Sequence, residues 1–154
     1  LRKVFAVLAS LLPLLLVVQF FLAAFGAFDT GDKDQAFGPH RSLGYIVIYY
    51  AVLLTIVAAV ARMPGRLIGM AGLVAVLGVV QSLIGTVADA LNGPGDSSTT
   101  AGKLVFGLHA INGLVIIGVA VAVAQQARAR SRSSADRPAG VETSESVAGP
   151  AQPK

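Results

Sequence analysis

The chain has two histidines, and both stand in the same octet: Phe37–Gly44 reads FGPHRSLG and Phe106–Gly113 reads FGLHAING. The shared pattern Phe-Gly-x-His-x-x-x-Gly puts His40 and His109 near the same end of two long apolar runs. A neutral imidazole offers one nitrogen lone pair for a metal, while its other nitrogen carries a proton that needs an acceptor. Two such rings at equivalent positions of a duplicated membrane hairpin are the arrangement expected of a bis-histidine haem site. Imidazoles on both sides of the iron would give six-coordinate, low-spin haem b, suited to electron transfer.

Other residues recur with the histidines. Gly44 and Gly113 follow them by four residues, on nearly the same helical face. A missing side chain there leaves room for a flat macrocycle, or else allows close helix packing. Val17-Val18-Gln19 is matched by Val79-Val80-Gln81. Gln19 and Gln81 are candidates to hydrogen-bond the outer N–H of each imidazole; bonding to each other or to backbone carbonyls is the alternative. Arg41 and Lys103, at the outer ends of the histidine helices, are candidate contacts for haem propionates. Without haem, Arg41 would meet lipid headgroups. Asn112 adds a polar group beside the second histidine with no assigned role. Tyr45, Tyr49 and Tyr50 suit a quinone pocket less well than interfacial anchoring.

The plainer reading of both histidines is structural. A membrane histidine often serves as an interhelical hydrogen-bonding group worth about 0.6 kcal/mol, and duplication would copy it with its helix. Zinc or copper would want a third or fourth ligand, and the apolar runs hold no carboxylate or sulfur beside these rings that would serve.

The elements that must position these residues follow from composition. Of 154 residues, 55% are hydrophobic and 13% charged, far from the globular norm. Four runs, Val4–Phe28, His40–Ala61, Leu67–Ala88 and Lys103–Gln126, reach the roughly 20 apolar residues that cross a bilayer. The predicted fold is all-α: a polytopic membrane protein, an up-down four-helix bundle built from two tandem hairpin repeats at about 4–61 and 67–126, together a membrane domain over 1–126. The linker Arg62–Arg66 (RMPGR) carries Pro64 and Gly65, turn residues between antiparallel helices. From 127 to 154 the composition shifts to Arg, Ser, Ala, Pro and Glu, as in a disordered cytoplasmic tail whose arginines rest on anionic headgroups.

Charge supplies orientation. Arg2, Lys3, Arg62, Arg66, Arg128, Arg130, Arg132 and Arg137 fall on one side. Lys33, Arg41 and Lys103 on the other are diluted by Asp29, Asp32, Asp34, Asp89 and Asp96. The positive-inside rule then puts both termini in the cytoplasm of a bacterial-type cell. From those basic boundaries His40 and His109 lie roughly 33 and 28 Å up, and Gln19 and Gln81 roughly 24 and 22 Å, at about 1.5 Å per residue. All four share one polar layer in the outer half of the membrane. In an up-down bundle the second and fourth spans are diagonal, so the two histidines should face each other.

The His-Arg-x-x-Gly pattern of His40, Arg41 and Gly44, with a partner histidine two spans later, resembles one half of the haem A synthase family. More distantly the chain is similar to cytochrome b561-type bundles and to small uncharacterised four-span bacterial proteins. The resemblance covers the four spans and implies that His40 and His109 ligate haem. The chain departs from the synthases at Phe37, where they carry a glutamate, at Ala110, and in having no cysteine. What the resemblance implies is therefore a haem site and not the synthase chemistry.

The net charge of +4 is spread over span ends and tail, with no basic-aromatic surface for nucleic acid. No membrane-embedded carboxylate relay, Ser/His/Asp set or phosphate loop is visible, so no enzymatic activity is assigned. The expectation is an integral membrane b-type haem protein that transfers electrons or handles haem, in the bilayer, with a redox partner or quinone and with homo-oligomerisation open. The competing expectation is a cofactor-free membrane accessory protein with structural histidines.

Overall fold

Four long helices, each apolar over more than 18 residues, can form only where lipid or a neighbouring helix covers them, and the computed structural model, which describes residues 1–92 and 98–135, has four of that kind. Helix α1 spans Arg2–Phe28, α3 Gly38–Val60, α4 Gly65–Leu91 and α5 Thr100–Ala135; a single turn, α2 (Lys33–Ala36), lies between the first two. The protein is a multi-pass membrane bundle. Each predicted span is present and extends by up to three residues at most ends. The exception is α5, which does not stop at Gln126 but continues to Ala135. That segment, placed in the tail from sequence, is made of Ala, Arg and Ser, of which Ala and Arg are strong helix formers, and Ala127 is buried against the bundle. The remainder of the expected tail lies outside the described residues, as does Asp96.

Around the bundle the order is α1, α3, α4, α5: α3 packs on α1 and α4, and α5 packs on α4 and α1. The α1–α4 and α3–α5 pairs face each other across the diagonals without backbone approach. The core explains this square. On α1 the buried residues include Phe5, Ala9, Leu12 and Leu16, a spacing of four, three, four. The same spacing gives Val47, Ala51, Leu54 and Ala58 on α3. It recurs as Leu67, Ala71, Val74 and Gly78 on α4 and as Ile116, Ala120, Val123 and Ala127 on α5. A strict seven-residue repeat keeps one seam facing inward and gives the shallow crossing of coiled-coil-like bundles. Alanine at a core position of every helix lets the backbones come close, as membrane helices prefer. At Gly78 the approach is closest to α3, where a Cβ would meet Ile48 Cγ1 at 2.8 Å.

The turn between α3 and α4 is closed by backbone chemistry. Met63 N–H donates to Ala58 O at 2.9 Å and Arg62 N–H to Ala59 O at 3.0 Å, the paired bonds of a Schellman motif. Arg62 takes the left-handed position, with φ of 50°, where glycine is usual. Pro64 caps the start of α4, so the proline and glycine that flagged this turn begin the next helix and do not make the bend.

Candidate functional site

The seam that builds the core also builds the polar layer. Continuing the four-three spacing upward from Leu16 reaches Gln19, and from Gly78 it reaches Gln81. Running back along the other two helices, it passes from Val47 to Gly44 and His40, and from Ile116 to Gly113 and His109. All six residues therefore occupy core positions at one end of the bundle. The next seam positions on α1 and α4 are Ala23 and Gly85, so the corners flanking the histidines carry the smallest side chains. A Cβ added at Gly85 would meet nothing within 4 Å.

Each hairpin locks its own histidine by a reciprocal pair of bonds. In the first, Gln19 Nε2 donates to the carbonyl of His40 at 2.8 Å, and His40 Nδ1 lies 3.1 Å from the carbonyl of Gln19. In the second, Gln81 Nε2 donates to the carbonyl of His109 at 2.8 Å, and His109 Nδ1 lies 3.2 Å from the carbonyl of Gln81. A carbonyl only accepts, so in a neutral ring Nδ1 holds the proton and Nε2 keeps its lone pair. Of the roles open to the glutamines, the bond to a backbone carbonyl is the one made; it is the glutamine backbone, not its amide, that meets the outer N–H of the imidazole.

The glycines follow from this clamp. In a helix the side chain at position i+4 stands over the carbonyl of residue i. Gly44 stands in that relation to His40, and Gly113 to His109. A Cβ at Gly44 would sit 3.1 Å from Gln19 Nε2, and one at Gly113 would sit 3.3 Å from Phe20 Cζ and 3.5 Å from Gln81 Nε2. Glycine thus uncovers the histidine carbonyl so that the glutamine amide of the neighbouring helix can reach it.

The two halves differ in how the glutamine oxygen is met. Asn112 Nδ2 donates to Gln81 Oε1 at 2.6 Å and to the carbonyl of Leu77 at 3.0 Å. The octets align Asn112 with Leu43, which has no amide to give. Gln19 Oε1 is consequently buried without a partner among the described residues. Gln19 Nε2 also approaches His40 Nε2 at 3.4 Å, a marginal contact beside its 2.8 Å bond.

Across the α3–α5 diagonal the two imidazole centroids lie 6.2 Å apart, with ring planes inclined at 51°. Phe37 and Phe106 lie against the rings, the first edge-on to His40 at 6.2 Å and the second stacked on His109 at 5.2 Å. Two imidazole nitrogens about 2 Å from one metal ion, with ring radii of about 1.2 Å, would put the centroids roughly 6.3 Å apart. The separation suits two imidazoles sharing one metal ion; His109 Nε2 has no hydrogen bond among the described residues, and His40 Nε2 has only the marginal contact with Gln19.

The predicted propionate contacts stand apart from this layer. Arg41 pairs with Asp34 on α2, Nη1 to Oδ1 at 3.4 Å, and also donates to the Asp34 carbonyl. Lys103 lies in the first turn of α5 and is exposed. Tyr50 donates to the carbonyl of Leu8 at 2.7 Å and so ties α3 to α1, whereas Tyr45 and Tyr49 face outward. Among the described residues no group of three or more histidine, cysteine or acidic side chains converges.

Fold and site together define an all-α, four-span membrane bundle with a paired Gln–His layer near one end. Residues 19–87, just under half of the chain, match a family of unknown function (DUF6220); the matched stretch contains Gln19, His40, Gly44 and Gln81 and stops short of His109. No curated protein and no solved structure matches the chain.

Proposed function

We propose that this chain is a b-type haem protein of the membrane, with His40 and His109 as the two axial ligands of one haem near the end of the bundle opposite the basic termini. The carrying observation is the 6.2 Å separation of two imidazoles whose Nδ1 atoms are both held by backbone carbonyls. That arrangement fixes tautomer and ring orientation before any metal arrives, which is the work outer hydrogen bonds do for metal-ligating histidines. A bound haem would supply a one-electron redox couple, and with both axial positions taken by protein it would carry electrons without binding oxygen. Gln19 and Gln81 orient the ligands, Gly44 and Gly113 admit the glutamines, and Gly85 and Ala23 leave space beside the rings. Arg41 or Lys103 would meet a propionate only by leaving their present surroundings.

The resemblance to half of a haem A synthase agrees with this reading. The basic residues at the termini and at the α3–α4 turn favour a cytoplasmic placement of both termini in a bacterial-type membrane, with the haem toward the outer face and a redox partner or quinone there. A second reading, a cofactor-free accessory protein, is favoured by the reciprocal Gln–His bonds, because they join helices whether or not a metal is present.

The test is a reduced-minus-oxidised visible spectrum of the full chain, purified in mild detergent from haem-replete cells. The expected result is a low-spin b-type signal near one haem per chain, lost in His40→Ala and in His109→Ala. A colourless, folded protein overturns the haem reading and leaves the clamp as a helix-joining device.

A further inference from the structure

At the opposite end of the bundle α1 and α5 leave a groove of about 500 Å³ between them. Its mouth carries Lys3, Arg128, Ser131 and Arg132, and its floor Val7, Leu11 and Leu14. No acidic residue among the described ones lies at this end; Asp29, Asp32, Asp34 and Asp89 all sit at the other. The cations are therefore uncompensated within the described protein. They are also organised. Ser10 donates its hydroxyl to the carbonyl of Ala6 at 2.7 Å and accepts from Arg128 Nε at 2.7 Å. With Nε engaged by Ser10, Arg128 keeps its two terminal nitrogens as further donors, the fork that suits phosphate oxygens.

The floor decides between a free anion and a lipid. Lys3, Val7, Leu11 and Leu14 recur on one face of α1 and cover roughly 16 Å of helix at about 1.5 Å per residue. Val7 and Leu14 are each 61% exposed, a strip that only hydrocarbon would cover in place. A free phosphate would use the mouth and leave the strip bare. An anionic phospholipid would use both, its phosphodiester on Arg128, Arg132 and Lys3 and an acyl chain along the strip. Basic pockets between spans bind acidic headgroups by the same physics.

We infer that the α1–α5 groove is a binding site for one anionic phospholipid, which bridges the first and last helices at the basic end. The site stands independently of the haem reading, being at the other end of the bundle and sharing no residue with it.

The test uses the full chain in mixed micelles of mild detergent, titrated with phosphatidylglycerol, phosphatidylcholine or inorganic phosphate, and followed by native mass spectrometry and thermal unfolding. Phosphatidylglycerol should bind at one copy and raise Tm, while phosphatidylcholine and phosphate should not. The double variant Arg128→Gln/Arg132→Gln should weaken phosphatidylglycerol binding about tenfold. Arg62→Gln/Arg66→Gln, which removes the same charge from the other side of this end, should leave it unchanged. Ser10→Ala keeps every charge and frees only Arg128, so a loss of about threefold is expected even if the double variant fails to fold. Equal loss in the two double variants would mean diffuse surface attraction and overturn the site. Equal binding of phosphatidylcholine would remove the cations from the argument, and stabilisation by phosphate alone would remove the lipid.

Discussion

Asn112 and Leu43 occupy the same place in two copies of one octet, and the difference between an amide and an isobutyl group decides whether a neighbouring glutamine oxygen is satisfied. Leu43→Asn should give Gln19 Oε1 a donor and stabilise the bundle by about 0.6 kcal/mol, the usual worth of such bonds between membrane helices. Asn112→Leu should strand Gln81 Oε1 and cost about 1–2 kcal/mol. Equilibrium unfolding in mixed micelles would measure both, and equal and null effects would dismiss the asymmetry. Gly85→Leu makes a sharper division. It fills the open position one seam step beyond Gln81, so the haem reading expects pigment to be lost with Tm little changed, whereas a structural histidine pair has no pigment to lose. At this scale the sequence is half legible. The octets and the Val-Val-Gln pairs bring out every residue of the clamp, because each recurs in the sequence. The direction of the bonds does not emerge, since periodicity says which face a residue shares and nothing about whether its side chain or its carbonyl is engaged. Asn112 is illegible for the same reason: its role is set by an oxygen on another helix.

Helices and turns were easier to anticipate in place than in chemistry. Apolar runs of about 20 residues fix where spans lie, and the four-three spacing of small and large residues fixes their seam. The α3–α4 turn is where Pro64 and Gly65 said it would be, yet the strained residue is Arg62. Arg62→Gly should therefore stabilise the protein by about 1 kcal/mol, since a side chain costs roughly that in the left-handed region. Arg62→Val should destabilise it, and thermal unfolding of the pair would decide whether this backbone is as constrained as the Schellman bonds require. Packing gives a second contrast on α4. Gly78→Ala pushes a methyl group into Ile48 and should cost about 1–3 kcal/mol. Gly69→Ala, which meets nothing within 4 Å, should be neutral or gain up to about 1 kcal/mol in helix propensity. Sequence alone treats these glycines alike, because only the distance to the facing helix separates them. The end of α5 is not legible in composition: polar residues mark where lipid contact ends, and the helix runs on past that point.

Over the whole molecule, each reciprocal Gln–His clamp is internal to one hairpin, while the imidazole pair crosses from one hairpin to the other. A lone hairpin thus carries one glutamine, one histidine and half of the pair. Chains ending at residue 63 and beginning at residue 64, expressed together, should still assemble through the continuous core, and neither alone, at a dilution where it does not self-associate, should show the pair in any spectroscopic assay. This division bears on how the two rings meet. A lone two-span unit with this octet would bring two rings together only by meeting a second copy of itself, at whatever level the membrane held it. Joining the copies through the Arg62 turn replaces that dependence on abundance with a tether, so the rings meet at an effective concentration set by the chain. Within one chain the two halves need not be identical, and the leucine at position 43 and the asparagine at position 112 use that freedom.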